Sequence, residues 1–277
     1  MKNQIIVDSC CDMLPEMKTE MGIISIPLTM LLGNREFRDD EFLDVFNFMK
    51  EAQDFTGKTG SASPAPFLYQ EAIENAENAY IVTLSSKLSG SYSNAVIGSR
   101  EASENGMVTA HVFDSKSASA GETLVAIKLH ELIRAGCVKE QIIQILTHFI
   151  DNMKTYFVLE NYEHLQKNGR LSKIAGRLIK TLNIKLIMGS DSNGEIALFE
   201  KCRGTKAMIT QLLSLIQKSK KNTQDENIVI SHCNNPSLAN ELKLLIQKQF
   251  SFKQIYVVPT GGLSSLYAAN RGIVLAF

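Results

Sequence analysis

A cluster of hydroxyls stands between two segments of very different character. Residues 83–95 read TLSSKLSGSYSNA, so Ser85, Ser86, Ser89 and Ser91 share a short stretch with a single glycine, Gly90. The apolar run Ala79–Leu84 has the composition of a buried strand, and the AVIGSREASENG that follows reads as a helix ending near Gly106. Hydroxyls and free backbone N–H groups at a helix start bind an anion without a formal charge. Lys87 is the one cation in the loop. Such a site suits a carboxylate held by hydrogen bonds better than a polyphosphate.

Other residues of chemical interest are weaker signals. Asp8-Ser9 and Asp114-Ser115 each follow a predicted strand, at the end where open α/β sheets bind ligands; the same pairs also serve to cap a helix or tie a turn. Arg170 in Asn168-Gly169-Arg170, with Arg177 and Arg203 beyond it, offers guanidinium forks for an acidic partner or a phosphoryl group. The competing reading is a solvated helix cap. Gly57-Lys58-Thr59 resembles the end of a phosphate loop, but the glycine that motif requires is replaced by Ala52. No Gly-x-Ser-x-Gly elbow occurs. The histidines His111, His130, His148, His164 and His232 show no metal-ligand spacing, so no metal site is expected.

Lys+Arg and Asp+Glu both number 29. A net charge of zero argues against a general nucleic-acid binder, whose affinity depends on neutralising phosphates. The cysteines, Cys10, Cys11, Cys137, Cys202 and Cys233, lack framework spacing and fit a reducing compartment. Cys10 and Cys11 suit a tight strand–loop corner as small buried hydrophobes better than they suit a redox pair. No run is long and apolar enough for a signal peptide or a bilayer span, so a cytoplasmic location is expected, with transient membrane contact still open.

Strands and helices alternate from the start. Ile5–Asp8, Ala79–Leu84 and Val108–Phe113 read as strands. Helical spacing covers Glu41–Gln53, Phe67–Ala79, 119–135 and 138–152, the last two separated by a cap at Ala135-Gly136. Pro27 inside Ile23–Leu32 allows at most an edge or broken strand. Phe55–Pro66 reads as a turn-rich loop. This alternation predicts a parallel sheet with helices on both faces. After 153 the pattern changes: a strand at Tyr156–Glu160, short helices at Tyr162–Lys167 and Lys173–Leu182, and a hairpin turning at Asp191–Gly194. Helices at 205–219 and 236–249 then alternate with strands at 227–232, 254–258 and Gly272–Phe277. Two domains are expected, 1–152 as α/β and 153–277 as α+β, sharing a packed interface.

Together these segments resemble the DegV family. The matching pieces run the length of the chain: IVDSCCDMLPE at the N-terminus, KTGSASPAPF at 58–67, TLSSKLSGSYSNA at 83–95, VFDSKSASAGE at 112–122 and LQKNGRLSKIAGRL at 165–178. The resemblance implies a two-domain α/β protein with a ligand tunnel between an N-terminal parallel-sheet α/β/α domain and a C-terminal α+β domain. It implies one long-chain fatty acid in that tunnel, its carboxyl near the surface and presented to a separate fatty acid kinase. The chain is then a carrier rather than an enzyme, with no cofactor beyond its ligand. The family's carboxyl-binding hydroxyls fall on Ser89, beside Gly90, and on the Thr59–Ser61 loop, where Thr-Gly-Ser-Ala replaces the family's Thr-Ser-Gln-Pro. Many members carry a histidine near the C-terminus that reaches the head group; VVPTGGLSSLYAANRGIVLAF has none, leaving Ser264, Ser265 or Tyr267 in its place. Arg170, Arg177 and Arg203 are the expected partner or phosphoryl face. Two other readings stay open: an enzyme using Ser89 or Asp114 on a small anion, and an interaction module without ligand.

Overall fold

The computed structural model describes residues 3–74, 76–103, 108–171, 183–219 and 223–277. The first half builds a parallel sheet from β1 (Asn3–Asp8), β2 (Ile23–Ile26), β6 (Asn78–Thr83) and β7 (Thr109–Asp114), in the order β2-β1-β6-β7. Its central strands are buried on both faces, Ile5, Ile6 and Val7 against Tyr80, Ile81 and Val82, as expected where crossover helices cover a sheet twice. Those helices are α1 (Pro15–Met21), α3 (Pro66–Ile73), α4 (Ser91–Ser103), α5 (Ala120–Arg134) and α6 (Lys139–Asn152). α3 stops short of the predicted Ala79, its end closed by the Ala76 N–H on the Ile73 carbonyl.

Pro27 splits the apolar run as expected. Beyond it the chain leaves the first sheet and forms a small antiparallel one, β4-β3-β5, from β3 (Thr29–Leu32), β4 (Arg35–Arg38) and β5 (Thr59–Ala62), with α2 (Val45–Asp54) between. β5 corrects the reading of 55–66 as loop throughout. Thr-Gly-Ser-Ala has no strand alternation of its own; its pairing with β3 makes it a strand.

The second half is α+β. β8 (Thr155–Val158), α7 (Glu163–Lys167), β9 (Ile184–Ser190), β10 (Ile196–Arg203), α8 (Gly204–Ser219), β11 (Asn227–His232), α9 (Pro236–Gln249), β12 (Gln254–Pro259), α10 (Gly262–Ala268) and β13 (Ile273–Ala276) follow in order. They give one mixed sheet, β10-β9-β8-β13-β11-β12. The β9–β10 hairpin turns where the sequence placed it. Gly194 takes a φ of 85°, and the Asp191 carboxylate accepts the N–H groups of Asn193 and Glu195 at 2.8 and 3.0 Å. The predicted helix at Lys173–Leu182 lies outside the described residues.

α5 joins the two halves. It packs Leu124, Ile127 and Leu129 into a core shared by Ile5 and Val82 of the first sheet and Val229 and Val274 of the second. Gly121 lets the start of α5 approach β8, because a Cβ there would lie 2.7 Å from the Thr155 hydroxyl and closer still to Ser117.

Candidate functional site

A cavity of about 110 Å³ that is open to solvent lies between the two sheets. Both halves supply its apolar wall, Leu28, Leu84 and Leu88 from the first and Phe157, Leu165 and Ile196 from the second. Hydroxyls also line it, but the inner ones are occupied by the protein itself. Ser119 donates to Asp12, Ser117 pairs with Thr155 at 2.7 Å, Ser190 donates to the Lys116 carbonyl at 2.5 Å, and Ser264 donates to the Cys10 carbonyl at 3.4 Å. Among the described residues, the hydroxyl protons of this part of the wall are thus largely committed to protein acceptors, one proton of the Ser117–Thr155 pair excepted.

The half-buried end differs. There Ser61, Ser89, Arg170 and Tyr267 meet on the wall. Ser61 and Tyr267 share one hydrogen bond at 2.8 Å, so one of their two protons is uncommitted. The Ser89 oxygen accepts the Ser91 N–H at 3.2 Å, leaving its own proton free. Arg170 donates to the Leu88 carbonyl from Nε at 3.2 Å and to the Asn168 carbonyl from Nη1 at 2.7 Å, and its guanidinium lies 5.9 Å over the Tyr267 ring. The remaining guanidinium N–H groups complete a donor cluster at one end of an otherwise inert wall, an arrangement suited to a carboxylate.

The other residues singled out from sequence fall elsewhere. Thr59 is buried behind the wall, its hydroxyl 3.0 Å from His164 Nδ1 on α7. Ser265 turns away from the cavity to pair with Thr260 at 2.7 Å, because α10 presents Ser264 and Tyr267 to the wall instead. Gly90 brings the loop close to Ser63, whose oxygen would sit 3.1 Å from an added Cβ. Arg203 is exposed at the end of β10, the edge strand of the second sheet, and does not join Arg170. Arg177 lies outside the described residues.

Two of the serines in the loop serve architecture. Ser85 donates to the Gly194 carbonyl at 2.7 Å and Ser91 to Asp8 at 2.6 Å. The Asp-Ser corners act likewise. Asp8 also accepts the Leu84 and Cys10 N–H groups, and Asp114 accepts those of Ser86 and Lys116.

Sequence reading missed a set of buried carboxylates behind the wall. Asp12 accepts the Gly261 N–H at 2.8 Å, and Asp39 accepts those of Gly262 and Leu263 at 2.8 and 3.0 Å, so the two acids hold the start of α10 and with it Tyr267. Burial raises Asp8 and Asp12 to about 6 against the hydrogen bonds that lower them, and raises Asp39. Glu122 on α5 is pushed well above the usual carboxylate range, first by burial and then by the charges of Asp8 and Asp12. Asp8 is the group its carboxyl lies against, through both side chain and backbone.

Comparison with known proteins places this architecture. The family profile described as "Uncharacterised protein, DegV family" matches residues 2–276. A DegV domain-containing protein of Streptococcus pyogenes serotype M1 is 31% identical over 277 residues, covering 99% of this chain and 98% of that one. A solved DegV family structure from Ruminococcus gnavus with vaccenic acid is 36% identical, with a TM-score of 0.94 and 99% of each chain covered. The Streptococcus pneumoniae Fatty Acid Kinase (Fak) B3 protein, solved with linoleic acid, is 31% identical at a TM-score of 0.92, covering 100% of this chain and 99% of that one. Alike along its whole length in both sequence and fold, the chain belongs to the DegV family.

Proposed function

We propose that this protein binds a long-chain fatty acid in the cavity between its sheets and presents the carboxylate to a separate fatty acid kinase. One observation carries the reading: among the described residues most of the wall's hydroxyls are tied to protein acceptors, while Ser61, Ser89, Tyr267 and Arg170, gathered at one place on it, keep donors to spare. An acyl chain needs only apolar contact, worth about 0.8 kcal/mol per buried CH₂, and its carboxylate needs donors at one end. Relatives of this fold were solved with vaccenic and linoleic acids, and one of them is named for a fatty acid kinase. In this reading the chain is a carrier that needs no cofactor. Arg170, already beside the head group, meets the phosphoryl group being transferred. The enzymatic alternative would need a base at Ser89 or Asp114; Asp114 is occupied by two N–H groups, and among the described residues no histidine bonds Ser89.

Native and denaturing mass spectrometry of the protein purified from bacteria tests the proposal. The expected result is about one fatty acid per chain. Protein that carries none, and takes up neither palmitate nor oleate, would sink it.

A further inference from the structure

Behind the serine loop lies a polar chain that joins four elements. Its members are Tyr69 on α3, Ser91 at the first position of α4, Asp8 at the end of β1 and Glu122 in the first turn of α5. All four are fully buried. The Tyr69 hydroxyl lies 2.6 Å from the Ser91 oxygen, Ser91 donates to Asp8 at 2.6 Å, and the Glu122 carboxyl lies against Asp8. The ion pairs among the described residues involve neither acid.

The donors fix where the protons sit. Asp8 accepts the Ser91 hydroxyl and the N–H groups of Leu84 and Cys10, and such bonds favour the charged form of a carboxyl. Two buried carboxyls in contact do not both stay charged. The proton therefore sits on Glu122 and is donated to Asp8. Ser91 has a single proton, which Asp8 takes, so Tyr69 is the donor to the Ser91 oxygen. Both branches of the chain run toward Asp8, and linked bonds of this kind strengthen one another in a low-dielectric interior. The outlet of the chain is Ser89. The Ser91 N–H is donated to the Ser89 oxygen at 3.2 Å, which leaves the Ser89 proton for the cavity. A Ser91 side chain anchored on Asp8 keeps that N–H from turning away. Leu84 and Cys10, whose N–H groups Asp8 also holds, line the same cavity.

We propose that Tyr69, Ser91, Asp8 and Glu122 are positioning residues for the ligand's carboxylate. Glu122 acts as a protonated donor that holds Asp8; Asp8 and Tyr69 hold Ser91, and the Ser91 N–H aims the Ser89 hydroxyl into the cavity. This rests on the carrier reading above.

The test measures the Kd for oleate by calorimetry, with Tm alongside, on delipidated protein. The variants are Ser89→Ala, Glu122→Gln, Glu122→Leu and Tyr69→Phe, with the last two also combined with Ser89→Ala. A glutamine at 122 keeps an N–H donor for Asp8, whereas leucine keeps the bulk and removes the donor. The expected result is a Kd within about two-fold of wild type in Glu122→Gln, raised about five-fold or more in Glu122→Leu and about two- to three-fold in Tyr69→Phe. In the Ser89→Ala background the last two substitutions should change Kd by less than about two-fold, because the donor they aim is gone. Tyr69→Phe removes one oxygen and decides the matter if Glu122→Leu does not fold. Equal losses with and without Ser89 assign the chain to general stability and overturn the proposal. So does a Kd unchanged in both Glu122→Leu and Tyr69→Phe, or Glu122→Gln binding as weakly as Glu122→Leu, or Ser89→Ala binding like wild type; each of these leaves the carrier reading intact. Wild-type protein that binds no oleate overturns both.

Discussion

Ser89 and Tyr267 stand at the same end of the cavity but are held in different ways. Ser89 is fixed by the Ser91 N–H it accepts, and Tyr267 by Ser61 and by Arg170 over its ring. Replacing Ser89 removes a donor that a carboxylate would use, and hydrogen bonds to a charged acceptor contribute about 1.5–3 kcal/mol. Ser89→Ala should therefore weaken fatty-acid binding roughly ten-fold or more with little change in Tm; an unchanged Kd would show that the carboxylate lies elsewhere. Glu122 makes a different prediction. Its folded pKa is raised, so the native state holds its proton more tightly than the unfolded chain does. Stability from such a group is complete below the unfolded value and is lost as pH rises through the folded one. Asp8 and Asp12 act in the same direction between about 4 and 6, and Glu122 extends the loss to higher pH. Glu122→Gln should raise Tm more at pH 8 than at pH 5; an equal shift at both would show that the carboxyl does not titrate there. The serine loop was legible at this scale because hydroxyl density and a strand–helix junction are written locally. Which serine faces a ligand was not, since Ser85 and Ser91 are claimed by Gly194 and Asp8 from distant segments.

At the scale of elements, the hairpin at Asp191–Gly194, the parallel sheet and the paired helices at 120–134 and 139–152 were readable, because turn chemistry and helical periodicity are local signals. β5 was not, because its strand character comes from β3. Nor was α10: residues 262–268 show no cap or stripe, and its start is held by Asp12 and Asp39, more than 220 positions away. Without that helix the choice among Ser264, Ser265 and Tyr267 had no geometric basis. The junction of α5 with β8 gives a test at this scale. Alanine in place of a helical glycine ordinarily stabilises by about 1 kcal/mol, but at Gly121 its Cβ would meet the Ser117 and Thr155 hydroxyls. Overpacking of this kind costs about 1–3 kcal/mol. Gly121→Ala should lower Tm by a few degrees in thermal melts, and a rise would show that α5 and β8 do not pack this tightly.

For the whole molecule, the cavity and the core are parts of one structure. α5 binds both sheets into a single apolar body, and the carboxylates behind the wall fix α10, which carries Tyr267. Sequence could suggest a tunnel only through resemblance, since the side chains of a core and of a ligand wall are the same kinds. The spent hydroxyls of the inner wall have a thermodynamic consequence. A surface that asks for no directional bond treats an acyl tail much as a hydrocarbon solvent would. Entry is then a partition out of water, with the negative heat-capacity change that accompanies apolar burial. Affinity climbs with each added methylene until the space is full, and a double bond matters only through the bend it imposes. On the carrier reading proposed above, one end of the ligand is recognised by its chemistry, the other by its volume and curvature.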